Sequence, residues 1–200
     1  MIAQVNNTAT FKFIVSSVPF TSLWQHDAQI DSWAAYPSEK YSLLNALHSV
    51  PNVIIISGDR HEFAAIKFNS EGQGHTVLEV STSPLSMFYI PFVRTLKLAS
   101  ENTVKVATEI KNTLEGEELT SLVEEEIPQE EVIKYIAEGN YKWLVFRLQI
   151  RSFRQLMLPC RSSFEVDTRD LDHPVVKLEV VIDGLPAYRY AACPVGFFCH

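Results

Sequence analysis

The chain is 200 residues long with a mass of 22.7 kDa, room for one domain and seldom for two. Hydrophobic residues make up 46% and charged residues 20%, which excludes a disordered chain. The net charge of −7 disfavours a nucleic-acid binder, which usually carries a basic balance. No apolar run approaches the roughly 20 residues of a membrane-spanning helix. The opening Met1-Ile2-Ala3-Gln4-Val5 lacks the basic and apolar regions of a secretory signal and reads like the middle of a domain. Three cysteines, Cys160, Cys193 and Cys199, all fall in the last quarter. The odd count argues against a disulfide framework, so a reducing, cytoplasmic compartment is the expectation.

Residues 11–15 are rich in aromatic and β-branched types and lead into Ser16-Ser17-Val18-Pro19, a buried strand ending in a loop. Residues 24–37 form a polar and aromatic loop. From Ser38, a candidate cap, the pattern becomes helical, with Tyr41, Leu44, Leu47 and His48 on one face and Pro51 beyond its end. Val53-Ile54-Ile55-Ile56 is the strongest strand signal. It has no alternation, which predicts cover on both faces, as in a layered α/β sheet. Residues 64–68 and 76–80 predict two further strands around the turn marked by Gly72 and Gly74, two of the three forming a hairpin.

Residues 100–138 are acidic and predict partly helical structure, with Glu124-Glu125-Glu126 as a solvated face and Pro128 opening a helix that stops at Gly139. Residues 175–182 read as a strand closed by the turn pair Asp183-Gly184. No internal repeat or low-complexity tract is present.

The chemistry concentrates in Ser57-Gly58-Asp59-Arg60-His61, directly after the strongest strand. Open α/β sheets bind ligands at the carboxyl ends of their strands. Glycine lets the backbone turn sharply and approach a ligand. Asp59 and His61 are two apart, so an extended loop points both the same way. A carboxylate and an imidazole suit a first-row transition metal, which lowers the pKa of bound water and polarises a phosphoryl oxygen. On spacing alone a structural turn is a better account of these residues than a metal site. Arg60 is either a charge-assisted phosphate donor or an ordinary loop arginine. Trp33 and Tyr36 either line a substrate cleft or pack over the sheet. Ser57 lacks the Gly-x-Ser-x-Gly context of a nucleophile. His26, His48 and His75 have no ligand-like spacing, and His173 and His200 read as incidental.

Several segments together resemble the alkaline phosphatase D-like (PhoD-like) branch of the calcineurin-like metallophosphoesterases. They are Phe13-Ile14-Val15-Ser16-Ser17-Val18-Pro19-Phe20, Asp31-Ser32-Trp33-Ala34-Ala35-Tyr36-Pro37-Ser38-Glu39-Lys40, Val53-Ile54-Ile55-Ile56-Ser57-Gly58-Asp59-Arg60-His61-Glu62 and Ser81-Thr82-Ser83-Pro84-Leu85. Later come Lys134-Tyr135-Ile136-Ala137-Glu138-Gly139-Asn140-Tyr141-Lys142-Trp143 and Phe164-Glu165-Val166-Asp167. The resemblance implies a metallophosphoesterase-type β-sandwich flanked by helices and a two-metal centre acting on a small phosphoester substrate. Its divalent or trivalent ions would hold the phosphate and activate a water for in-line attack. By the same resemblance Asp59 and His61 are late metal ligands.

The family's earlier ligand motifs have no counterpart before Asp59, where residues 1–57 contain only Asp27 and Asp31 as aspartates. The expectation is therefore a single partial domain over residues 1–200, its C-terminal half, whose partner is the missing N-terminal half. Two ligands seldom hold a catalytic metal, so this chain alone is expected to turn over little or nothing. A non-catalytic binding or scaffold protein that kept the sheet is the rival reading. Residues 144–161 hold four arginines and no Asp, Glu or Lys. Joining Trp143 to Ser162 restores family-like text, so this stretch is expected to be an insertion.

Overall fold

A computed structural model of the chain describes residues 9–60, 62–72, 74–82, 96–114, 117–136, 160–170, 174–182 and 185–192. Its centre is a mixed five-stranded sheet in the order β1-β2-β4-β3-β7. The strands are β1 (Lys12–Ser16), β2 (Val53–Ser57), β3 (Phe63–Phe68), β4 (Val77–Ser81) and β7 (Glu130–Ile136). β1, β2 and β4 run parallel, while β3 is antiparallel to both its neighbours. The two strands expected around the glycine-marked turn, β3 and β4, do form a hairpin, and β2 joins it from the β4 side.

Both faces of this sheet are covered, as the unbroken apolar run of β2 requires. On one face lies the helix Pro37–His48 with the segment that precedes it, burying Phe20, Trp24, Leu44, Leu47, Val53, Ile55, Ile66 and Phe68 together. On the other lies a three-stranded antiparallel sheet, β10-β9-β8, built from β8 (Cys160–Asp167), β9 (Val175–Ile182) and β10 (Leu185–Ala192). Leu178 and Val180 of β9 pack there against Phe63, Ala65 and Val80. The strand period of two divides the side chains between the layers: Ala64 and Ile66 face the helix, Phe63 and Ala65 the second sheet. The chain is thus rich in strands, layered, and has one α-helix among the described residues.

Three expectations need correction. The helix starts at Pro37, not at Ser38, with Tyr36 at the cap position and no side-chain cap bond. Proline suits the first helical position because its missing N–H would have no partner there. The buried face is Lys40, Leu44, Leu47 and His48, whereas Tyr41 is exposed. Lys40 takes the place expected of an aromatic residue because a buried carboxylate, Glu130, pairs with it.

The acidic region 100–138 is not helical where it is described. It forms β5 (Thr103–Leu114) and β6 (Glu117–Pro128), an antiparallel pair with twelve residues in each strand, followed by β7. Pro128 ends a strand and does not open a helix. The controlling signal was the β-branched content and the alternation around Val104 and Val106, which outweighs a charge density common to both states. Glu124, Glu125 and Glu126 are exposed, as expected of a solvated face.

Within the expected insertion 144–161, residues 144–159 lie outside the described ones. Cys160 and Arg161 open β8, opposite Ile182 and Val181, and the expected strand at 164–167 continues that pairing. Asp183 and Gly184 also lie outside the described residues, but Leu185 pairs with Ile182 on either side of them. No described helix is long and apolar enough to cross a membrane.

Candidate functional site

Because β1, β2 and β4 are parallel, their carboxyl ends share one edge of the sheet. The register aligns Ser16 with Ser57 and Ser57 with Ser81. Each strand leaves the sheet after a serine, into Ser17-Val18, Gly58-Asp59 and Thr82 respectively. The segments are tied together: the Thr82 amide donates to the Ser57 carbonyl at 2.9 Å. Gly58 lies so close to β1 that a Cβ added there would sit 3.3 Å from the Ser17 carbonyl oxygen.

Asp59 follows, exposed and with φ of 74°. That left-handed conformation is unusual for a side chain with a Cβ, although Asp and Asn tolerate it best. It turns the chain off the end of β2 and leaves the carboxylate outside the core. His61, the second expected ligand, lies outside the described residues. Arg60 is half-buried, its guanidinium carbon 5.0 Å from the centre of the Trp24 ring. That cation–π contact draws it toward the helix-side core.

Trp33 and Tyr36 meet in one groove of about 600 Å³ beside β1. Ser16, Ser17, Asp31 and Glu39 line it with them. The short 3₁₀ turn Trp33–Ala35 sets their positions: Ser32 caps it by accepting from the Ala34 amide at 3.1 Å. The Trp33 indole N–H donates to Ser16 Oγ at 3.2 Å, and that hydroxyl donates to the Val18 carbonyl at 2.6 Å. Trp33 also packs on Phe20, with ring centres 5.5 Å apart. Trp33 therefore packs over the sheet and also lines this groove. Tyr36 is 62% exposed. Asp59 and Arg60 are not among the groove's lining residues.

Beneath the strand ends is a buried polar network. Glu79 of β4 has no exposed surface. Its Oε1 accepts from the Phe20 amide at 2.8 Å and from the Ser57 hydroxyl at 2.6 Å, and its Oε2 accepts from the Thr21 amide at 2.8 Å. Burial raises its pKa, opposed by these three hydrogen bonds. Glu130 of β7 accepts from the Thr21 hydroxyl at 2.6 Å and the Ser22 amide at 2.8 Å, and pairs with Lys40. The Lys40 ammonium also lies 5.6 and 5.8 Å from the Phe20 and Phe68 ring centres. Sequence reasoning passed over Glu79. Its signal was a lone carboxylate inside the apolar run Val77-Leu78-Glu79-Val80.

The oxygen chemistry of Asp59 suits a hard or borderline cation. The donor number does not suffice: among the described residues no three His, Cys, Asp or Glu side chains converge to hold a metal. No reaction step is therefore routed through a metal held by these residues. Ser57 is 2% exposed and its hydroxyl is committed to Glu79, so it is not a free nucleophile.

No curated protein and no solved structure matches the chain. A family model does match, over residues 3–122, a span that takes in the ends of β1, β2 and β4, the groove, β5 and the first half of β6. On that match the chain belongs to the PhoD-like phosphatase family.

Proposed function

We propose that this chain carries one part of a metal-dependent phosphoester hydrolase centre of the metallophosphoesterase type, in which Asp59 and His61 are metal ligands. The observation that supports it best is the meeting of three parallel strand ends beside an exposed aspartate in left-handed conformation. Such an edge is where open sheets bind their ligands. A bound metal would supply an activated water and a polarised phosphoryl oxygen. The chain's own residues would do the rest. Gly58 lets the turn sit against β1, Asp59 presents an anionic ligand, and Trp33 and Tyr36 wall the groove alongside. Arg60, held over Trp24, serves the turn's packing more directly than a phosphate.

Further ligands must come from outside this donor set, and the chain alone is proposed to be incomplete and inactive. The shortage of converging donors among the described residues also supports the rival, a non-catalytic binding scaffold derived from the fold. One experiment separates the two readings. The chain is assayed on an aryl phosphate with added Mn²⁺, alone and extended by whatever coding sequence precedes Met1. The hydrolase reading expects no turnover from the chain alone, and metal-dependent turnover from the extended protein that Asp59→Ala abolishes. An extended protein without activity favours the scaffold. Turnover by the chain alone, lost in Asp59→Ala, overturns the claim of incompleteness.

A further inference from the structure

Among the described residues, Ser57 ties the turn that bears Asp59 to a buried carboxylate inside the fold. Ser57 is the last residue of β2, two positions before Asp59, and its hydroxyl donates to Glu79 Oε1 at 2.6 Å. The same carboxylate accepts the Phe20 and Thr21 amides, at 2.8 Å each. Those amides belong to the segment that follows β1, which also provides Ser17, the backbone that Gly58 touches. A single carboxylate with no exposed surface thus joins the end of β2 and the loop after β1 to the middle of β4. We propose that Glu79 is the positioning residue of the Asp59 turn, fixing it through the Ser57 hydroxyl and fixing the adjoining wall of the site through Phe20 and Thr21.

A carboxylate fits this post because all three partners are donors. Glutamine would turn an N–H₂ group toward at least one of them. Inside a protein such an unmatched donor pair is costly. Groups behind a metal ligand commonly change metal affinity 10–100-fold when removed, because they set the ligand's orientation. The metal arm of this inference rests on the proposed role of Asp59; the positioning arm does not.

The test compares Ser57→Ala, Glu79→Gln and the core variant Ile66→Val with the parent chain. Ile66 is buried on the same sheet and takes no part in the network. Amide hydrogen exchange is followed over residues 57–59, and Mn²⁺ binding by calorimetry. Ser57→Ala and Glu79→Gln are expected to speed exchange over 57–59 at least fivefold, and Ile66→Val to leave it within twofold. Mn²⁺ affinity should fall about tenfold in the first two and stay unchanged in the third. If Glu79→Gln does not fold, Ser57→Ala, which keeps the carboxylate, decides the question. Unchanged exchange at 57–59 in Ser57→Ala overturns the proposal. Absence of Mn²⁺ binding in the parent chain, whose donor set is incomplete, removes only the metal readout, and the exchange data decide the role of Glu79.

Discussion

Asp59 occupies a backbone conformation that costs most residues roughly 1–2 kcal/mol and costs Asp and Asn less, because their short polar side chains bond locally. Asp59→Asn is therefore expected to change unfolding free energy by less than about 0.5 kcal/mol, and Asp59→Ala to lower it by about 1 kcal/mol. Urea titration measures both. A large loss in Asp59→Asn would mean that the carboxylate's charge holds the fold and not a ligand. His48 supplies a second prediction. Its Nδ1–H donates to the His75 carbonyl at 2.6 Å, and burial lowers its pKa below the ordinary 6.5, the hydrogen bond opposing this in part. The folded chain thus binds fewer protons at His48 than the unfolded chain does. Its contribution to stability is complete above pH 6.5 and is lost as pH falls through the folded value. Asn at this position can donate the same bond without titrating. Thermal unfolding at pH 7.5 and 5.5 should show a smaller acid-induced drop in Tm for His48→Asn than for the parent chain; equal drops would contradict the assignment.

At the level of elements, the Lys40–Glu130 pair decides which face the helix buries. Both side chains are less than a tenth exposed and tie the helix to β7, the strand at the far edge of the sheet. Removing one partner leaves a buried uncompensated charge, which costs about 3–5 kcal/mol. Lys40→Met is expected to lose about that much. Lys40→Met combined with Glu130→Gln should recover more than half of it, since the amide oxygen of Gln can still accept from Thr21 and Ser22. Denaturant titration of the two variants gives the coupling directly; a double variant as unstable as the single would show that the charge on Glu130, not the pairing, is what the site requires. The helix itself was legible in the sequence because apolar spacing and a proline define it locally. Its buried lysine was not, because the partner lies ninety positions away. The same holds for Glu130, which the Pro128 start and Gly139 stop signals placed in a helix and pairing with β3 places in a strand.

For the molecule as a whole, β1 ends the five-stranded sheet and pairs with β2. Val15 on it is 79% exposed, Phe13 38%, and Ile30 near by 79%. The apolar groove beside Trp33 continues this surface. An edge strand with exposed apolar side chains templates association. Sedimentation velocity is expected to show concentration-dependent self-association of the chain, weakened by Val15→Lys, because a charge on an edge strand opposes pairing. A monodisperse monomer at all concentrations would contradict this.

The sequence by itself determined the strands β2, β3, β4 and β9, the β3–β4 hairpin, the two-sided burial of β2 and the place of Asp59 at its end. All of these follow from near neighbours: apolar runs, turn glycines and the residue after a strand. Its likeness to the PhoD-like phosphatases is also legible there, in short segments within residues 3–122. Only the tertiary structure decided that three serine-ended strands share one edge, that Trp33 reaches Ser16, and that Glu79 gathers Ser57, Phe20 and Thr21 around one carboxylate. Those contacts join residues from 17 to 59 positions apart. A buried polar group is tolerated only where distant partners satisfy it. Neither hydrophobic period nor local propensity carries a record of partners that far away.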